Sequence, residues 1–457
     1  MYNSDRELTG NMRLFKSKQD GEKIDKNSWL DLVIVVNDPD RFDLKRAELW
    51  LKNFESVTLA LPQDLSESLS EIRGLRLLSI RNKNSKADIY NRAVVESSKK
   101  WVLIIEDEEK VDLSRLPATR PTHQRWMPAI IKKENDEPGF HQYQIRLVPG
   151  GVKNIFSGKY LPDATEYMMK REIELDSSSL HIWKPETQIR KFDPEGELSV
   201  GPPTPRAYLV IGESYFKNRE YILAAAQYRQ VLKMEKVLPF DRLAAVNGLA
   251  GCFTEQYKWE KSLRLCEQSL QAEPRQWMPY LIKFRINQLQ KKWGEAYEVL
   301  NQFHSLIGVD SKASFDKSIR EEDTLFQLGD IALKARYIKK AFSHFEEFYK
   351  FKDGNVDRDF LKRLFVLSAE LNDYDKTVFY FERLFAPYMP DKLSREASEQ
   401  LHDCTEFFMR KGWYDYVLTT YEELLEEQPN NSDFRRRLVV ALSKTNRMER
   451  AREYITN

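Results

Sequence analysis

Two hydrophobic patterns divide the chain. In the first, short apolar runs end at turn residues: residues 30–36 form such a run, broken only by Asp31, and stop at Asn37-Asp38-Pro39. A run of that length predicts a buried parallel strand with a turn at its carboxyl end. Residues 57–61, 75–80 and 101–105 repeat the pattern, and residues 44–54, 65–72 and 87–98 between them carry helical periodicity. Strand and helix alternate four times, which predicts a mostly parallel sheet covered on both faces, with any ligand at the carboxyl ends of the strands.

From Pro205 onward the period lengthens to 34 residues. A large residue at a turn is followed three places later by a small one: Tyr221/Ala224, Trp259/Ser262, Trp293/Ala296, Ile338/Ala341, Tyr374/Thr377, Tyr414/Val417 and Met448/Ala451. About seven units follow, starting near Pro205, Leu243, Trp277, Glu322, Arg358, Ser398 and Ser432. Ile211-Gly212…Tyr215, Leu328-Gly329…Ala332, Pro274 and Pro429 resemble the signature of the tetratricopeptide repeat, which implies an all-α solenoid of stacked helical hairpins. Each hairpin leaves an apolar face that only its neighbour covers. Trp259, Trp293, Tyr374 and Tyr421 are therefore expected in the core, and Cys252 and Cys266 as small buried hydrophobes. The first helices of such units line the concave face, which assigns Arg206, Glu213, Lys217, Arg285, Glu406 and Arg410 to a groove of mixed charge suited to a protein or peptide partner.

Composition narrows the partners. Lys and Arg number 72 against 71 Asp and Glu, so no global field draws the chain to nucleic acid or to an acidic membrane. Three cysteines make no disulfide framework, the first 28 residues lack the apolar stretch of a signal peptide, and no run is long enough to span a membrane. A cytoplasmic protein is expected. The expected division is a polar tail over 1–28, an α/β domain over 29–186, a Pro/Gly-rich linker over 187–204 and the repeats over 205–457, with a fragment starting near residue 203 folding by itself. Residues 307–319 read as an irregular insertion.

The chemistry-bearing feature is Glu106-Asp107-Glu108-Glu109, which leaves the fourth strand directly. Carboxylates at a strand end suit a divalent cation such as Mg²⁺ or Mn²⁺. The stretch from Asn91-Arg92-Ala93 to Trp101-Val102-Leu103-Ile104-Ile105-Glu106-Asp107-Glu108-Glu109, then Gln144-Ile145-Arg146-Leu147-Val148, Asn154-Ile155-Phe156-Ser157-Gly158 and Ser179-Leu180-His181-Ile182-Trp183, resembles family 2 glycosyltransferases over residues 29–186. A domain of that family followed by tetratricopeptide repeats is also the arrangement of peptide S-glycosyltransferases. The resemblance implies a GT-A type domain that binds a nucleotide-diphosphate sugar and a divalent metal and transfers the sugar to a protein or peptide held by the repeats. It would place Asp38, Asp64, Asn91 and Asp107 at the cofactor, and Glu106, Glu108 and His181 at the metal. Where the family carries its His-Glu pair this chain has Leu161-Pro162, leaving Asp163 as the nearest general base. Its Asp-x-Asp has become Glu106-Asp107-Glu108, and its second-strand Asp is replaced by Leu61-Pro62-Gln63-Asp64. These departures open an alternative, a catalytically degenerate domain in a protein-protein interaction scaffold, and a third reading in which a nucleotide or sugar binds without transfer. No Gly-x-Gly-x-x-Gly, P-loop, His-Glu-x-x-His or Gly-x-Ser-x-Gly motif offers another chemistry.

Overall fold

The computed structural model describes residues 29–36, 50–54, 57–62, 75–80, 85–97, 101–117, 121–133, 140–159, 161–184, 203–385 and 395–456. The expected tail, most of the linker, the helix over 65–72, and Asp38 and Asp64 lie outside them.

The four apolar runs form strands: β1 (Leu30–Val35), β2 (Val57–Pro62), β3 (Leu75–Ile80) and β4 (Trp101–Glu106). They are joined in the order β3-β2-β1-β4, all parallel, and antiparallel β9 (Leu147–Pro149) closes the row beyond β4. Every residue of β1 and β4 is buried, as expected of central strands covered on both faces. Helix α1 (Lys86–Glu96) packs on the sheet and starts with a capping box in which Ser85 and Asp88 satisfy each other's backbone N–H. A second sheet has the order β12-β8-β7-β11-β5, built from β5 (Lys110–Val111), β7 (Ala129–Lys133), β8 (Phe140–Gln144), β11 (Leu180–Lys184) and β12 (Asp316–Lys317). The short pair β6 (Arg125–Trp126) and β10 (Glu174–Leu175) and helix α2 (Thr165–Lys170) complete this region.

Seven pairs of helices follow among the described residues: α3 (Pro205–Lys217) and α4 (Tyr221–Lys233), α5 (Pro239–Glu255) and α6 (Trp259–Ala272), α7 (Met278–Leu289) and α8 (Trp293–His304), α9 (Glu321–Lys334) and α10 (Ile338–Phe351), α11 (Arg358–Glu370) and α12 (Tyr374–Phe385), α13 (Arg395–Arg410) and α14 (Tyr414–Glu427), α15 (Ser432–Lys444) and α16 (Met448–Thr456). The seven turn residues expected from the period are the first residues of the seven second helices. The small residue three places on is buried in each unit, Ala224, Ser262, Ala296, Ala341 and Thr377 completely. All seven turns are three residues long, and the middle residue has positive φ: Arg219, Tyr257, Lys291, Arg336, Asn372, Gly412 and Asn446. In each, the residue that follows donates its N–H five residues back, at 2.8–3.0 Å, which closes the helix end as a Schellman cap. One expectation needs correction. At the first position of its helix the turn aromatic covers the turn instead of entering the core: Trp259 and Trp293 are half-buried and Tyr374 is 40% exposed. Tyr421, Cys252 and Cys266 are buried as read.

The chain forms two compact units, Met1–Pro279 with Val309–Ser318, and Tyr280–Gly308 with Ile319–Asn457. The contacts therefore do not divide the chain at the linker; the first two hairpins belong with the sheets. Within this first unit the ring of Tyr228 fills the space left by two glycines, and a Cβ on Gly248 would stand 2.4 Å from that ring. The insertion read as irregular supplies β12, which pairs antiparallel with β8 (Asp316↔His141). The second unit has its own aromatic core, in which Phe345, Phe365, Phe381, Phe385, Phe408 and Phe434 are fully buried.

Candidate functional site

The carboxyl end of β4 delivers Glu106 and Asp107 beside the end of β1, where Asp107 donates its backbone N–H to Val35 O at 3.0 Å. The chain turns at once: Glu109 N–H donates to Glu106 O, and the Glu109 carboxylate accepts Glu106 N–H at 2.8 Å. Glu106, Asp107 and Glu109 are thereby buried together. Burying that much negative charge is costly unless cations accompany it. Three do. Lys86, from the first turn of α1, contacts Glu106 Oε1, and Lys184, at the end of β11, reaches Oε2 at 2.8 Å. Arg146, beside β9 and 2% exposed, pairs with Glu109 at 3.0 Å and lies 3.6 Å from Glu106, while also donating to Tyr90 OH and to Gln144 at 2.8 Å. Burial opposes ionisation of Glu106, but Lys86, Lys184 and Arg146 outweigh it and hold its carboxyl well below the usual range. Lys184 is pushed up in turn, because Glu106 and Glu109 overcome the burial that would otherwise lower it.

The other expected site residues are spread around this cluster. His181, on β11, points elsewhere: its Nε2 lies 2.8 Å from Asp310 Oδ2 and its Nδ1 lies 3.3 Å from Lys132 Nζ. Glu106, Glu108 and His181 are not gathered on one point, and among the described residues no group of three or more His, Cys, Asp or Glu side chains is arranged to hold a metal ion. Asn91 uses both ends of its amide on the main chain of Phe156, donating to O and accepting from N at 2.8 Å each, and so clamps the loop that leads to Asp163. Asp163 is buried and lines a cavity of about 690 Å³ with Ser85, Asp88, Phe156, Glu166 and Lys236. Its Oδ1 accepts Thr165 N–H and the Thr165 Oγ1 hydroxyl, at 2.8 and 2.6 Å, while its Oδ2 is buried without a hydrogen-bond partner among the described residues. Asp241 on α5 is close enough to feel it: burial, with a contribution from Asp163, pushes Asp241 up to about 7 although Arg206 pulls the other way. Arg206, expected on an open groove, is 4% exposed and donates to Tyr143 O. Lys217, Arg285, Glu406 and Arg410 are exposed as expected, whereas Glu213 is paired with Lys317 at 2.5 Å.

No protein-family model matches the sequence, and no curated protein matches it either. Among solved structures, the chain is similar to MamA (residue 41 to the end) from Desulfovibrio magneticus RS-1, with 11% identity over 41% of this chain and 97% of that one and a TM-score of 0.29. It is also similar to PilF of Pseudomonas aeruginosa, at 16% identity over 51% of this chain and 95% of that one, TM-score 0.30. A third is Naa15/Naa10 bound to HypK-THB, at 13% identity over 55% of this chain and 35% of that one, TM-score 0.43. At these scores the helical repeat reading stands on the hairpins and caps described above. Neither the Lys86–Lys184–Arg146 frame nor the insertion's pairing with β8 was visible in the sequence. One local signal was there: Arg146 lies within the apolar stretch Ile145…Leu147-Val148, where a charged side chain needs a buried partner.

Proposed function

We propose that this protein is a non-catalytic interaction scaffold, in which the helical repeats hold a protein or peptide partner and the α/β sheets brace the first repeats. The observation that carries this reading is the state of Glu106. The carboxylate nearest the strand end, where a metal and a diphosphate would need open oxygens, has both oxygens engaged by Lys86 and Lys184, with Arg146 3.6 Å away. A divalent cation entering there would have to displace ammonium groups already in contact. A transferase of the family 2 type is the second reading. The strand order β3-β2-β1-β4 with antiparallel β9, and the cavity beside Asp163, favour it; Mg²⁺ or Mn²⁺ and a nucleotide-diphosphate sugar would be its cofactors. Thermal melting of the full chain with Mn²⁺ and a panel of nucleotide-diphosphate sugars separates the two. The scaffold reading expects no shift, because only a ligand that binds the native state raises its stability. A Mn²⁺-dependent shift that disappears in the Glu106→Gln/Glu108→Gln variant would restore the transferase.

A further inference from the structure

The first-helix face of the first two repeats is where a solenoid would receive a partner. Here the chain covers it with residues 311–318 of its own insertion. Phe315 packs against the apolar cluster that contains Leu209, Tyr228 and Ala244, and Lys317 pairs with Glu213 on α3. Asp316, between them, accepts the backbone N–H groups of Trp277 and Met278 at 2.7 Å each and so caps the start of α7. Ser314 N–H donates to Phe240 O at 3.0 Å, its Oγ accepts Tyr143 N–H at 3.1 Å, and Ser311 O accepts Tyr143 OH at 2.6 Å. A small pocket of about 30 Å³, lined by Leu209, Glu213 and Tyr228 on one side and Ser314, Phe315 and Lys317 on the other, adjoins the segment. Phe315 itself has φ +56°, a conformation that a bulky side chain adopts only when its surroundings fix it.

These are the marks of a bound peptide. Main-chain pairing of Asp316 and Lys317 with β8 extends a sheet edge, an aromatic anchor enters an apolar pocket, and a charge pair fixes the register. We infer that residues 311–318 are a built-in peptide ligand, and that this face recognises a segment that turns at an aromatic residue and carries a lysine two places later on a short strand. A partner polypeptide of that chemistry enters only by displacing the chain's own copy. The inference rests on the repeats being a partner surface.

The test uses the full chain and a fluorescein-labelled peptide of residues 312–319. In the wild type the face is filled and the peptide binds weakly. In Phe315→Ala/Lys317→Ser it is expected to bind at least tenfold more tightly, and the same peptide carrying Ala for Phe315 should lose at least tenfold. Should the double variant fail to fold, Lys317→Glu alone decides, since that side chain is 40% exposed. It should admit the peptide more tightly than the wild type, and adding Glu213→Lys should restore exclusion. Equal binding by the wild type and the folded variants, or none by either, overturns the inference. The scaffold reading survives that outcome if a partner still binds at Arg285, Glu406 or Arg410, and falls separately with the nucleotide-sugar shift.

Discussion

Two groups of buried carboxylates lie in the same unit and meet opposite fates. Around Glu106 and Glu109 three cations converge from α1, β11 and the approach to β9, and Glu106 stays ionised despite its burial. At Asp241 burial, reinforced by the nearby Asp163, outweighs the pull of the Arg206 guanidinium, and the carboxyl is pushed up to about 7. Residue type does not decide the charge state; the balance between burial and the charges packed around the group does. The first group behaves as a fixed structural ion cluster, whereas Asp241 titrates near neutrality.

The sharpest way to break this contrast is to remove a cation from the first group. Arg146→Met leaves Glu109 buried without its guanidinium and is expected to cost about 3–5 kcal/mol in denaturant unfolding. Adding Glu109→Gln should recover part of that loss; no recovery would mean that Arg146 acts by packing and not by charge.

The second group is read by pH. Between the ordinary aspartate value of 3.8 and about 7 the folded state keeps a proton on Asp241 that the unfolded chain has lost, so stability falls as pH rises through this window and levels off above it. A displacement of about three units corresponds to a fall on the order of 4 kcal/mol. Asp316, pushed up to about 6 by burial, adds to the slope below that value. Glu106 has the opposite sign: its contribution is full above the ordinary value of 4.5 and is lost as pH falls toward its lower folded value. Asp241→Asn should flatten the limb between pH 6 and 7 and leave the acid limb intact. A pH-independent difference between the two proteins would sink the assignment to Asp241.

The smallest effect is expected at the rim of the first group. Lys184 is one-third exposed, and Glu106 keeps Lys86 and Arg146 when it is removed. Lys184→Gln should therefore cost about 1 kcal/mol or less, as screened ion pairs do. A loss equal to that of Arg146→Met would show that the three cations act as one unit, so that no partial frame keeps Glu106 charged.

What the sequence revealed follows the same division between local and distant. The strands at 30–36, 57–61, 75–80 and 101–105 were legible because each is an apolar run closed by a turn signal. The hairpins were legible because their turns recur, down to Tyr221, Trp259 and Tyr414 starting the second helices. The placement of Tyr374 in the core failed for a geometric reason: side chains at the first helical position project over the turn before it. The candidate site was legible only at Glu106–Glu109, since Lys86, Arg146 and Lys184 each look like an ordinary residue of its own segment. Asp241 likewise resembles a helix-start acid just after Pro239. The insertion had no local periodicity to read, because its partners on β8 lie about 170 residues earlier.

That separation also sets an order of events during synthesis. The free edge of β8 leaves the ribosome long before Asp316 and Lys317, which are to cover it, have been translated. At roughly 5–20 residues per second the edge waits on the order of ten to thirty seconds, while the first two repeats and one stretch of the next unit are made. An unpaired strand edge is a template for pairing with other chains. The nascent protein thus passes through an interval in which this strand edge is open, and that interval ends only when residues 316 and 317 have emerged.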